Sequence, residues 1–192
     1  MHRLVIIAAA LTLTAFVAGC AATPASRFYT LSAASGPAAP SSNLSIAVGP
    51  VTVPAVVDRP QIVVNVGANQ VRLEEFNRWA APLQNNIARV VADNLVVMLG
   101  TPRLTLLSAD ADYRAAIEVQ SFESSPGEAA MLDAVWTVRR SKDGKAETGR
   151  TTVRETVQEK SYDALAAAHS RAVARLSQDI AAAVRALDRS GQ

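Results

Sequence analysis

The sequence predicts an α+β domain, one mixed and largely antiparallel sheet with two long helices packed on it, preceded by a signal peptide and a flexible tether. Three observations predict it. Leu44-Ser45-Ile46-Ala47-Val48 alternates strictly, the period of a strand with one buried face. Two other stretches repeat apolar residues at three and four: Trp79, Leu83, Ile87, Val90, Val91, Leu95 and Met98, then Leu165, Ala172, Val173, Leu176, Ile180, Val184 and Leu187. Between and before them lie strand-like runs broken by turn residues, so the order is strands, helix, meander, helix.

Residues 1–19 have the pattern of a cleaved signal, with His2 and Arg3 as a positive start, Leu4 to Val17 as an apolar run and Ala18-Gly19 as small residues before Cys20. The run is shorter than the ~20 apolar residues that span a bilayer. Residues 20–43 are rich in Ala, Ser, Pro and Gly and read as a tether, except that Arg27-Phe28-Tyr29-Thr30-Leu31 carries two aromatics and a leucine. Tyr29 and Leu31 are therefore expected to dock on the domain, as an edge strand. The domain itself is placed at residues 44–189.

After the opening strand, Gly49-Pro50 interrupts the alternation and Val51 and Val53 resume it. Gln61 to Val66 and Gln70 to Leu73 form a hairpin around Gly67-Ala68-Asn69. The first helix follows, with Gln84, Arg89 and Asp93 off its apolar stripe, and Gly100-Thr101-Pro102 ends it. Strands are predicted at Arg103 to Leu107, Tyr113 to Glu123 and Met131 to Arg140. Asp143-Gly144 then marks a tight turn into Arg150 to Gln158, whose imperfect alternation suits an edge. Ser161 and Asp163 cap and charge the start of the closing helix.

The Val17-Ala18-Gly19-Cys20 segment resembles a bacterial lipobox and contains the only cysteine of the 192 residues. The resemblance implies a diacylglyceryl group on the Cys20 sulfur and an acyl chain, palmitate or a similar fatty acid, on the new amino terminus. At about 0.8 kcal/mol per buried methylene, several chains hold a protein almost permanently. Ala21 stands where the sorting rule of such lipoproteins places a retaining aspartate, which implies the periplasmic face of the outer membrane. Removal of the signal leaves 173 of the 192 residues, one domain with a proper core. The formal charge of +2 creates no field that would draw in nucleic acid.

Groups convergent for catalysis are not found in the sequence. His169 is the only histidine outside the signal and lies on the alanine-rich closing helix with no ligand partner at metal spacing, so a helix-surface or core-edge position is expected. No nucleophile elbow, phosphate loop or Cys-His pair occurs. Asp110 and Asp112 read as solvated turn residues. Arg171, Arg175, Arg185 and Arg189 would make a basic stripe for anionic headgroups, but Asp179 and Asp188 interrupt it. No catalytic residue, metal or cofactor is expected.

Three stretches carry a family resemblance: Phe28-Tyr29-Thr30-Leu31, then Ile46 to Val63 with Val57-Asp58-Arg59-Pro60-Gln61-Ile62-Val63 most telling, then Arg78-Trp79-Ala80-Ala81-Pro82-Leu83. They resemble the ABC-type transport auxiliary lipoproteins, the PqiC-like family. The resemblance implies a non-enzymatic outer-membrane partner of an MCE-domain periplasmic protein and its ABC permease and ATPase, serving lipid transport and membrane integrity. It also makes a symmetric homo-oligomer compatible with a ring-shaped partner. Arg59, Pro60, Arg78, Trp79 and Pro82 match family motif positions, either as contact surface or as fold signature. A structural or regulatory lipoprotein that binds an envelope enzyme is the alternative, and a lipid carrier with its own apolar cavity a third. Replacing Cys20 with Ala should abolish incorporation of labelled palmitate and leave the precursor uncut; label retained in that variant would contradict the anchor.

Overall fold

The computed structural model describes residues 24–101, 103–105 and 110–190, so the signal segment and Cys20 lie outside the described residues. In chain order the elements are β1 (Arg27–Tyr29), β2 (Ser45–Thr52), β3 (Gln61–Gly67), β4 (Gln70–Trp79), α1 (Leu83–Leu99), β5 (Arg103–Thr105), β6 (Tyr113–Ser125), β7 (Ala129–Arg140), β8 (Ala146–Thr156) and α2 (Tyr162–Arg189). The α+β class with two long helices holds. The strands, expected in one sheet, divide between two: a small sheet ordered β1-β4-β3 and a large one ordered β5-β2-β6-β7-β8.

The division has a physical cause in β3. Ile62, Val63 and Val64 are buried in succession, so both faces of this strand are covered. It packs beside β6, touching it through Asn65 Nδ2, which donates to Glu123 Oε2 at 3.1 Å, while its described backbone pairing is with β4 alone. In the large sheet, β2 runs parallel to both β5 and β6, and β6, β7 and β8 form an antiparallel meander. The even residues of β7 from Ala130 to Arg140 are buried, the alternation of a one-sided strand. Both helices lie on that side, α2 against β7 and β8 and α1 against β2 and α2. β8 is an edge, as its imperfect alternation suggested.

Trp79 does not belong to the first helix: it ends β4, and α1 begins at Leu83. Proline disfavours helical dihedrals in the residue before it, so Ala81 cannot continue a helix into Pro82. Pro82 instead supplies the first carbonyl, which accepts from the amides of Asn85 and Asn86 at 3.0 Å. At the far end Gly100 adopts φ +62, and a Cβ there would collide with the Pro40 carbonyl. The collision marks how closely the preceding segment is bound: Ala39 N donates to Val97 O and Ser42 N to Gly100 O, both at 2.9 Å.

The closing helix follows the sequence closely. Ser161 Oγ accepts from Ala164 N at 3.1 Å and Asp163 lies in the first turn. All seven apolar stripe residues are buried, with Leu176 and Ile180 fully so. Truncating either to Ala should lower the unfolding free energy by about 2 to 5 kcal/mol, read as a shifted midpoint in urea denaturation. A midpoint that barely moves would place that face at a surface.

Candidate functional site

The family-motif residues converge at one end of the β3–β4 ladder. Arg59 and Pro60 lead into β3, Arg78 and Trp79 close β4, and Pro82 starts α1. Gln61 pairs with Arg78 but Ile62 pairs with Glu74, so Glu75, Phe76 and Asn77 are extra residues bulging from β4. Arg78 braces this bulge: its Nε donates to Glu75 O at 2.8 Å and its Nη2 lies 3.8 Å from Glu75 Oε2. Trp79 N donates to Pro60 O at 2.7 Å, and Ala80 N to Tyr29 O at 2.8 Å. Tyr29 Oη also donates to Asn77 Oδ1 at 3.1 Å. The stretches that carry the resemblance thus meet in space through the strand register. Pro60 is exposed, Arg59 and Arg78 are half-buried, and Trp79 is 4% exposed.

Trp79 reaches inward to an aromatic cluster. Its ring stands edge-on to Phe122 of β6 at 6.1 Å and to His169 of α2 at 6.3 Å, while Phe122 and His169 stack at 3.8 Å with 10° between their planes. A register shift between Val119 and Ser121 lets this happen. Before it the odd residues Tyr113 to Val119 are buried; after it the even residues Phe122 and Ser124 are. His169 is completely buried, deeper than the surface or core-edge position expected. The sequence did hold a signal, since His169 is four residues from both Leu165 and Val173 and falls on the apolar stripe.

Ser124 Oγ and His169 Nε2 are 2.8 Å apart, the spacing of a nucleophile and its base. Their surroundings exclude that role. Both side chains are buried, Nδ1 of His169 has no hydrogen-bond partner to orient it, and burial pushes the imidazole down to about 3. An imidazole so hard to protonate, and sealed from any substrate, is a poor acceptor for the Ser124 proton. The pair ties β6 to α2.

The remaining candidates are structural in the same sense. Asp112 Oδ2 accepts from Ser45 N at 2.8 Å and from Ser45 Oγ at 2.6 Å, joining the start of β6 to the start of β2. Asp110 is exposed on the adjoining turn. Three of the four arginines of α2 are engaged with neighbours: Arg171 with Glu155 Oε2 and Thr156 O, Arg175 with Gln178, and Arg185 with Met98 O, while Arg189 lies in the last turn. In the β7–β8 turn, the Arg140 guanidinium holds the Asp143 carboxyl down to about 2 and donates to Leu187 O. Burial, reinforced by Glu74, pushes the Tyr162 hydroxyl up to about 12. Among the described residues no group of three or more His, Cys, Asp or Glu is placed to hold a metal ion. A groove of about 700 Å³, open to solvent, runs between Phe28 to Ala34 and the outer side of α2.

His169 gives the domain an acid sensitivity whose sign is fixed. The unfolded imidazole titrates near 6.5, whereas the folded one stays neutral until about 3. The contribution of the neutral ring is therefore complete above pH ~6.5 and is lost as pH falls, by about 1.4 kcal/mol per unit. His169→Gln should be less stable at neutral pH but flatter than the parent between about pH 4.5 and 6.5 in urea titrations. Equal slopes would show that the imidazole is not the titrating group.

Solved structures share this arrangement. A crystal structure of an uncharacterized protein is similar with a TM-score of 0.71 at 19% sequence identity, covering 84% of this chain and 99% of that one. A crystal structure of a DUF330 protein from Xanthomonas campestris is similar with a TM-score of 0.70 at 18% identity, covering 87% and 100%. At such identities the likeness is one of fold. No curated protein matches the chain in sequence. The family model described as ABC-type transport auxiliary lipoprotein component matches residues 29–181, from Tyr29 on β1 to Ala181 in α2. The chain belongs to the ABC-type transport auxiliary lipoprotein component family.

Proposed function

We propose that this protein is a non-enzymatic outer-membrane lipoprotein that serves an MCE-type, ABC-linked lipid transport system by binding its periplasmic MCE-domain protein. The observation that carries the reading is the family assignment, which covers the folded domain from β1 onward. A transport auxiliary component acts by position and contact, and this chain has the parts for both. Cys20 is the attachment point, Ala21 favours release to the outer membrane, and the exposed corner at Arg59 and Pro60 is a surface on a rigid support. The buried Ser124–His169 pair and the open grooves favour this over hydrolysis or over carriage of lipid in an enclosed cavity.

The motif residues divide by burial. Arg59 and Arg78 are both half-buried; Arg78 is engaged in bracing the bulge, which leaves Arg59, its Nε buried without a hydrogen-bond partner and its backbone fixed by Pro60, as the contact candidate. Trp79 acts through the core. Pull-down of the lipidated full-length protein with the MCE-domain protein of the same envelope tests the proposal. Arg59→Ala should weaken capture about fivefold or more at an unchanged melting temperature. Trp79→Ala should cost about 3 to 5 kcal/mol of stability and lose capture with it. No capture by the parent protein would favour the regulatory lipoprotein that binds an envelope enzyme.

A further inference from the structure

We propose that the tip of the β3–β4 hairpin rests on the bilayer that holds Cys20. The proposal rests on the reading of Cys20 as the lipidated residue. Because β1 is paired into the small sheet from Arg27 onward, only Cys20 to Ser26 separates the anchor from the domain, a much shorter span than residues 20–43. Seven residues extend at most ~25 Å. The domain is therefore held against the membrane, and the question is which side faces it.

Strand direction answers that. β1 runs parallel to β4, with Arg27 opposite Asn77, so the line of β1 continued back from Arg27 points to the end of β4 that begins at Gln70. That end is the hairpin tip. Gln70 to Glu74 is roughly 14 Å of strand and the bulge adds little to it, so the tip lies within the reach of the segment before Arg27. The tip and the root of the acyl chains can thus meet one interface.

The chemistry of the tip fits a headgroup layer. Among the described residues six large apolar side chains are exposed, and three of them, Val66, Val71 and Leu73, lie at the hairpin tip, while Phe76 sits in the bulge and Phe28 stands opposite Arg78 at the far end of β4. Arg72 and Glu74 neutralise each other across 2.7 Å, which lowers the cost of approaching lipid. The opposite pole lies with the β7–β8 turn, which Arg140 fastens to Leu187 near the end of α2. The start of α2 packs on β1 through Tyr162 and Tyr29 at 5.9 Å. A helix of 28 residues separates these poles by about 42 Å.

The test uses the lipidated protein in vesicles of phosphatidylethanolamine and phosphatidylglycerol, with an environment-sensitive dye on Val71→Cys or, at the far pole, on Lys142→Cys. Melting temperatures check that both variants remain folded. The dye at 71 should shift to the blue and lose about half its fluorescence when the acyl chains are brominated, while the dye at 142 does neither. A water-exposed dye at 71 in protein that floats with the vesicles overturns the proposal and leaves the anchor standing. A blue-shifted dye that bromine does not quench assigns the tip to a second protein surface instead and also overturns it. Protein without acyl mass that fails to float refutes the anchor reading, and the proposal falls with it.

Discussion

The small sheet shares no described backbone ladder with the large one, so its position depends on side chains, above all on the packing of Trp79, Phe122 and His169. Each ring comes from a different element: the end of β4, the middle of β6 and the second turn of α2. Favourable aromatic pairs contribute about 0.5 to 1.5 kcal/mol beyond the area they bury. Against this stands the unpartnered Nδ1 of His169, and an unsatisfied buried polar group costs on the order of 1 to 3 kcal/mol. The histidine is tolerated because it fills an aromatic-sized space and reaches Ser124 at the same time. A phenyl ring could do the first and not the second.

The segment from Arg27 to Ser42 is the second dependency, and it explains polar groups buried on both helices. Arg89 donates to Leu31 O at 2.6 Å, Thr30 Oγ1 donates to Asn86 Oδ1 at 2.9 Å, and Ala34 N donates to Asn94 Oδ1 at 2.8 Å. Ser32 N donates to Ser170 Oγ at 3.0 Å, and Asn94 Nδ2 continues the network to Ser177 Oγ at 3.0 Å. The strap is mostly exposed, but the amides and carbonyls on its inner side need partners, and the helices supply them through Asn and Ser side chains. With Leu31 fully buried beneath it, this strap is part of the domain. Force or orientation imposed at the amino terminus is thereby delivered to the small sheet and both helices directly.

The legible parts of the fold were those with local causes. The α2 stripe, the Ser161 cap, the Asp143-Gly144 turn and the docking of Tyr29 and Leu31 each follow from residues within a few positions of one another. The division into two sheets was not legible, because an apolar run such as Ile62-Val63-Val64 announces burial without saying what covers either face. Trp79 was drawn into the helix by an accidental spacing of four from Leu83, although Pro82 marked the boundary. The inward turn of Phe122 and Ser124 depends on a bulge that no residue type signals. At the candidate site, the types and motif positions of Arg59, Pro60, Arg78 and Trp79 were visible, but their adjacency is set by the pairing of Gln61 with Arg78 across a long stretch of sequence.

That adjacency also bears on what the motif is for. Arg78 satisfies a carbonyl freed by the bulge, Pro60 offers its carbonyl to Trp79, and Trp79 anchors the sheets, so three of the four residues are accounted for by the geometry of one corner. Such a corner is costly to alter piecemeal, because Pro60 and Trp79 are partners of each other and Arg78 holds the bulge between them and the rest of β4. The same rigidity suits a contact: a half-buried arginine on a backbone fixed by the proline after it loses less freedom on binding than one on a mobile loop. Fold signature and contact surface are therefore compatible roles here, divided by burial, with the ring of Trp79 holding from inside the corner that Arg59 presents outside.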